Sequence, residues 1–156
     1  MRQKIFPDLI CVVAKHELYV KYHQRVFKEI DKYLCVVHIF SIDEGACRLT
    51  GEHSQEELAV KLAKQIKSAI KENVGEYIGC SIGIAPNRYL AKSATNMQKP
   101  DGLVVIRPDD IPGKLYQLKL TDSPGVGRST FNRLTSQGII TVKQLYQPDA
   151  KLLRKI

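Results

Sequence analysis

Hydrophobic and polar positions change period several times along this chain, and each change predicts an element. Residues 9–13 (LICVV) form a short continuous apolar run that predicts a buried strand. Leu18, Tyr22, Val26, Ile30 and Tyr33 recur at steps of three and four and predict an amphipathic helix over 16–33. CVVHIFS at 35–41 predicts a strand, followed by an acidic turn at Asp43-Glu44-Gly45 and a second strand over 46–49, together a β-hairpin. Ser54 with Glu57 three residues on reads as a capping box. The helix it opens carries Leu58, Leu62, Ile66 and Ile70 on one face, and Gly75 ends it. Residues 77–84 predict a strand whose glycines, Gly79 and Gly83, mark places of close approach. A short helix over 87–97 follows Pro86, then a turn at Lys99-Pro100-Asp101-Gly102, then a buried strand over 103–106. The order β-α-β-β-α-β-α-β predicts an α/β fold, with 35–50 and 77–84 in one sheet and 54–73 packed on one face.

Beyond Arg107 the pattern is helical only. Helices are expected over 109–118, over 128–137 with Gly138 as its stop, from a Thr141 cap through Tyr146, and from Pro148 onward. Residues 108–156 thus form an all-helical satellite, and no repeat or low-complexity tract interrupts either part.

Composition narrows the class. A chain of 156 residues, 44% hydrophobic and 26% charged, buries a real core and is neither collagen, coiled coil nor disordered. No apolar run approaches the ~18 residues of a membrane span, and residues 1–14 make a poor signal peptide. Cys11, Cys35, Cys47 and Cys80 form no C-x-x-C pair and sit in apolar stretches, so they read as reduced, buried thiols of a cytosolic protein. Cys35 and His38, three apart on a strand, face opposite sides, so a zinc site is not expected.

Charge points to a partner. The formal net charge is +8. Residues 1–78 hold 12 basic and 11 acidic side chains, whereas residues 79–156 hold 12 basic and 5 acidic. A basic second half suits a polyanion, nucleic acid before acidic membrane; a simply soluble basic surface fits as well.

Three constellations carry candidate chemistry. Ser41-Ile42-Asp43-Glu44 ends an apolar strand with two adjacent carboxylates. Such a pair suits Mg²⁺ shared with substrate phosphates; an acidic hairpin turn is the simpler reading of the four residues alone. Arg88 and Lys92 share a helix face at i and i+4, with Lys99 just past the helix end. These cations could hold a polyphosphate or a strand backbone, or form an ordinary solvated face. Third, Pro124-Gly125-Val126-Gly127 with Arg128, Ser129 and Thr130 lies between helical segments. Glycines there free backbone N–H groups at a helix N-terminus for phosphate, which favours a DNA-backbone contact over a plain turn.

The order of these motifs is more specific than any one of them. S-I-D-E, then G-I-A-P-N-R-Y-L-A-K about forty residues later, then K-P-D-G and P-G-V-G, resembles the Y-family (translesion) DNA polymerases, over nearly the whole chain from about Phe6. The resemblance implies an α+β palm-like sheet with helices on one face over 1–107, with a remnant of the fingers at 1–14. It implies a small helical thumb with a helix-hairpin-helix over 108–156. It makes Asp43 and Glu44 catalytic Mg²⁺ ligands of a two-metal site, and Arg88, Lys92 and Lys99 nucleotide-binding, with Lys99 on the triphosphate. Pro124 to Gly127, with Arg128, Ser129 and Thr130, become the grip on the duplex primer-template. Implied partners are DNA, a deoxynucleoside triphosphate, and a sliding clamp or accessory subunits bound through regions this chain lacks; no membrane is implied.

The sequence also departs from the family pattern. The D-x-D-x-F-F motif that opens these polymerases does not occur here, and Ala46 and Arg48 stand where the family usually has an aromatic and an aspartate. The chain therefore resembles a palm–thumb fragment, expected not to extend a primer by itself. Its open palm edge is expected to self-associate or to be filled by residues 9–13. The alternatives are a non-catalytic helix-hairpin-helix DNA-binding module and, more weakly, a palm-type nucleotide cyclase, which would need no grip on a duplex.

Overall fold

The computed structural model describes residues 9, 10, 12–147 and 153. The chain divides into two compact units, Met1–Arg48 and Leu49–Ile156. In the first, α1 (His16–Asp31) precedes an antiparallel hairpin of β1 (Val36–Ile39) and β2 (Gly45–Cys47). The pairing runs Val36 to Cys47, His38 to Ala46 and Ile39 to Gly45, with an irregularity between Val36 and His38. Gly45 has no side chain for a local reason: a Cβ there would meet the ring of Phe27 on α1. Glu29 is buried on α1, with Lys32 at 2.5 Å.

In the second unit, α2 (Glu56–Asn73) turns a continuous apolar face inward. Ala59, Leu62, Ala63, Ile66, Ala69 and Ile70 are all buried. Next come β3 (Ile82–Ile84), α3 (Arg88–Met97) and β4 (Leu103–Val105), with β3 and β4 parallel. Parallel neighbours need a crossover, and α3 supplies it. Asn87 caps α3, its side-chain oxygen accepting from Leu90 N–H at 2.9 Å. Three short 3₁₀ turns follow, at Pro108–Asp110, Gly113–Gln117 and Leu120–Asp122. Then come α4 (Arg128–Ser136) and α5 (Val142–Tyr146). Leu120, Leu134 and Ile139 form a second core, against which Val126, Phe131, Val142, Leu145 and Leu153 pack. Gly138, at φ 76°, ends α4 in a Schellman arrangement, with Ile139 N–H on Leu134 O and Gly138 N–H on Thr135 O. Thr141 and Gln144 form a reciprocal cap on α5. Among the described residues no helix is long and apolar enough to cross a membrane.

Several expectations are corrected. Residues 9, 10, 12 and 13 form no strand and are exposed, Val13 by 86%, so they do not fill the palm edge. The strands form two separate two-stranded sheets rather than one. Residues 77–81 add nothing to a ladder, because Ile78 N–H closes a turn on Gly75 O and strand pairing starts only at Ile82. Ser54 bonds back to Gly51 within a 3₁₀ turn, so Gln55 becomes the N-terminal neighbour of α2 and no capping box forms. The apolar stripe of α1 is only half covered: Val26 and Ile30 are part-buried, but Leu18 and Tyr22 are exposed. Residues 109–118 take 3₁₀ rather than α geometry, since Pro112 and Gly113 interrupt them. Cys35 is exposed, not buried. Burial pushes the Cys47 thiol up to about 11, with the neighbouring Cys35 and Asp31 adding to the shift. Cys11 and the helix expected from Pro148 lie outside the described residues, Leu153 apart.

Ile70 is fully buried on α2, while Tyr77 is 94% exposed. Ile70→Ala is therefore expected to cost about 2–5 kcal/mol of unfolding free energy. Tyr77→Ala should stay within about 0.5 kcal/mol. Urea titration followed by far-UV circular dichroism checks both.

Candidate active site

The two carboxylates stand in the β1–β2 turn. Phe40 N–H and Ser41 N–H both donate to Glu44 O, at 2.8 and 3.3 Å, which closes the turn around Asp43. Ser41 Oγ–H donates to Asp43 Oδ1 at 2.6 Å, fixing one carboxylate oxygen. From α1, His23 Nδ1 lies 2.7 Å from the Ile42 carbonyl, so that nitrogen carries the proton. His23 also packs on Phe27, ring centroids 4.7 Å apart, and a Cβ on Gly45 would strike that same Phe27 ring. One helical i,i+4 pair thus braces the turn on both sides of Asp43 and Glu44. Asp43 is exposed and Glu44 part-buried.

As a donor set the pair offers hard carboxylate oxygens, which suits one Mg²⁺ that keeps waters and shares substrate phosphates. Among the described residues no group of three or more His, Cys, Asp or Glu could hold a metal ion. The residues present therefore fit one ion and fall short of a two-ion centre, which needs more negative charge.

The candidate cations lie in the second unit, at the two ends of α3. Arg88 and Lys92 are one turn apart in its first half, Arg88 exposed and Lys92 part-buried. Lys99 lies two residues past its C-terminus, Met97, which is about 14 Å along the axis from Arg88 at the rise of an α-helix. The three are thus spread along the helix axis and not gathered at one end. Lys99 instead shares an open cleft of about 490 Å³ with Lys71, Glu76, Tyr77, Ser81 and Asp101. Asp101, at φ 54°, bonds Lys67 and Lys71. These two ammonium groups hold its carboxyl down to about 2. Sequence reasoning missed Lys67, Lys71 and Asp101 as a group. The available signal was Lys67 itself, one turn from Ala63 and Ile70 on the border of an apolar stripe.

The third constellation is a tight turn. Val126 N–H donates to Ser123 O at 3.0 Å, with Pro124 and Gly125 (φ 87°) at the corner, the arrangement of a type II turn. Gly127 gives α4 no side-chain cap. Gly125, Gly127, Arg128 and Ser129 are exposed, whereas Pro124, Val126 and Thr130 are part-buried. Asn96 Nδ2 donates to Asp122 O at 2.9 Å, which ties α3 to the residues just before this turn.

Known proteins resemble this chain along its length. The sequence profile of the impB/mucB/samB family matches residues 1–96. DNA polymerase IV of Moorella thermoacetica is 33% identical over 139 residues, covering 89% of this chain and 34% of the relative. The crystal structure of a DinB-family error-prone DNA polymerase from Sulfolobus solfataricus superposes with a TM-score of 0.86 at 31% identity, over 99% of this chain and 46% of that one. An insertion ternary complex of Dbh DNA polymerase gives a TM-score of 0.83 at 30% identity, over 98% and 44%. The chain thus spans about a third of the length of such a curated relative. Its mixed architecture of helices and small sheets is that of the Y-family polymerases.

A carboxyl held low contributes stability above its ordinary titration range and loses it as pH falls. Asp101 is held at about 2 and Glu56, by its two bonds from Arg107, is also lowered. The melting temperature should therefore be flat above about pH 5 and fall between about pH 4 and 2. In Asp101→Asn that acid-induced drop should shrink, as measured by thermal melts across this range.

Proposed function

Because the chain belongs to the impB/mucB/samB family, we propose that it is the palm–thumb portion of an error-prone translesion DNA polymerase. The whole-length likeness to an error-prone polymerase carries this reading, and the braced carboxylate turn agrees with it. The palm corresponds to 1–107, with a fingers remnant at 1–14, and the partial thumb with its helix-hairpin-helix to 108–156. The reaction joins a primer 3′-hydroxyl to the α-phosphorus of a deoxynucleoside triphosphate. One P–O bond forms, the bond to the β-phosphate oxygen breaks, and pyrophosphate leaves.

Each residue has a part in this scheme. Asp43 and Glu44 bind Mg²⁺, which when present supplies charge neutralisation at the phosphates. Ser41 and His23 orient the carboxylate turn. Lys99 meets the triphosphate, and Arg88 and Lys92 add positive charge for phosphate at the other end of α3. The amides after Gly127, with Arg128, Ser129 and Thr130, grip the duplex backbone without reading sequence. DNA and nucleotide are the partners, as the insertion ternary complex of Dbh DNA polymerase suggests, and the cytoplasm is the place of action. A clamp or accessory subunit would bind the longer protein. Self-association of this chain is supported by the exposure of Val37, Ile39 and Ile42 in and beside β1, which pairs only with β2 among the described residues.

With only two carboxylates at the turn and no D-x-D-x-F-F strand, the 156-residue chain should bind duplex DNA and not extend a primer. Duplex affinity should fall with salt, by a log–log slope of about −0.9 per phosphate contacted. Gly125→Val, at φ 87°, should weaken it. Fluorescence anisotropy at several salt concentrations and a primer-extension gel read these outcomes. Template-dependent extension abolished by Asp43→Ala would show that the resident pair suffices; duplex binding indifferent to salt and to Gly125→Val would remove the thumb assignment.

A further inference from the structure

Lys67 is an unusual lysine. It sits on α2 with its side chain only 15% exposed, yet its ammonium meets three close acceptors. Nζ donates to Cys80 O at 2.6 Å, to Asp101 Oδ1 at 2.7 Å and to Asp101 O at 2.8 Å, with Gly102 O further off at 3.4 Å. An ammonium has three protons, so Lys67 is saturated and has none to offer a ligand. Its partners come from two segments, the approach to β3 and the Lys99-Pro100-Asp101-Gly102 turn. Asp101 completes the knot by accepting from Lys71 Nζ through Oδ2 at 2.9 Å.

The geometry around the turn leaves little freedom. Asp101 has a left-handed backbone, which is unfavourable for a residue with a Cβ and persists where contacts hold it. A Cβ on Gly79 would come within 3.1 Å of Asp101 Oδ1, and one on Gly102 would strike the Gln98 carbonyl. Gly102 N–H donates to Ser81 Oγ at 3.2 Å and Leu103 N–H to Gln98 Oε1 at 3.3 Å. Lys99, by contrast, is exposed and makes no ion pair among the described residues. The saturated lysine and the open one stand on either side of one tight turn. We propose that Lys67 and Asp101 are positioning residues for Lys99: their ion pair locks the turn so that the Lys99 ammonium faces phosphate from a fixed base. This rests on the reading that Lys99 meets the nucleotide's phosphates.

Lys71 provides the contrast. It bonds the same carboxylate but is about half exposed, so losing it leaves the three Lys67 contacts in place. The test compares wild type, Lys67→Met, Asp101→Asn, Lys71→Met and Lys99→Met as the full 156-residue chain. Amide hydrogen exchange reads the turn, thermal melts read the fold, and calorimetry reads binding of dTTP with Mg²⁺. Lys67→Met should raise exchange over 98–103 while α2 stays protected, and should weaken dTTP by about tenfold, the loss of one charge-assisted contact. Lys71→Met should cost at most about fivefold. Asp101→Asn keeps size and backbone acceptors, so it carries the test if Lys67→Met does not fold; it should loosen the turn likewise.

An unchanged turn in both variants overturns the proposal. So does a loosened turn with wild-type dTTP affinity, because Lys67 and Asp101 would then be structural only. If wild type and Lys99→Met bind dTTP equally, the phosphate reading of Lys99 fails and the positioning of Lys99 for phosphate falls with it. Exchange over 98–103 would then show whether the ion pair still locks the turn, which separates the two failures.

Discussion

The second unit depends on a helix lying almost against a strand. At Gly83 a Cβ would collide with the Ala91 carbonyl and come within 2.9 Å of the Ala94 Cβ. Only a glycine in β3 lets α3 approach this closely, and only a small residue at 94 completes the fit. From that approach the rest follows. With α3 pressed on β3, the chain returns parallel, and β4 pairs Leu103, Val104 and Val105 with Ile82, Gly83 and Ile84. The helix is then a fixed spacer. Arg88 leaves one end and Lys99 the other, so the charged positions are set by backbone packing and not by side-chain rotamers.

Charge is distributed around this unit according to how much freedom each group keeps. Arg107 binds Glu56 with both prongs, at 2.6 and 2.5 Å, and Lys114 bridges Asp110 and the Val105 carbonyl. Lys67 is saturated at Asp101. These are exposed or part-exposed pairs, each worth little in stability. Their effect is geometric: the Lys67 and Arg107 pairs tie chain segments 34 and 51 residues apart, α2 to the Lys99 turn and α2 to the end of β4. A basic chain thus uses part of its positive charge internally, and the exposed Lys99 stands on backbone that those pairs have stiffened.

How far the residues disclosed this can be judged element by element. The α2 stripe was legible because Leu62, Ile66 and Ile70 face one core at helical spacing, and burial and period agree. Gly138 and Thr141 were legible because each satisfies a backbone requirement next to itself: a positive φ and a reciprocal cap. Failure came where a pattern required a distant partner. LICVV at 9–13 has strand composition, but no neighbouring strand pairs with its described residues. Ser54 and Glu57 have the right spacing for a box, but Ser54 satisfied itself within its own turn. The single sheet failed for the same reason, since strand periodicity specifies a face and says nothing of which edge meets which. The candidate residues show the same division. S-I-D-E was visible as a motif, whereas His23 and Phe27, which brace it, looked like two more positions on a helix.

That brace bears on what an acidic pair can do. Asp43 and Glu44 in a free turn would repel one another and wander, and a cation would have to offset the entropy of ordering them. Here the ordering is already in the backbone. His23 holds the Ile42 carbonyl, two N–H groups converge on the Glu44 carbonyl, and Ser41 fixes one oxygen of Asp43. None of these contacts uses the second oxygen of Asp43, so the turn is organised and keeps acceptor capacity. A turn built only to reverse the chain has no need of this. Gly-rich sequences reverse a hairpin without engaging a histidine or demanding that Gly45 lie against an aromatic ring. Such bracing sets the direction of the carboxylates, which the proposed contact with a cation and a phosphate at a set distance would require.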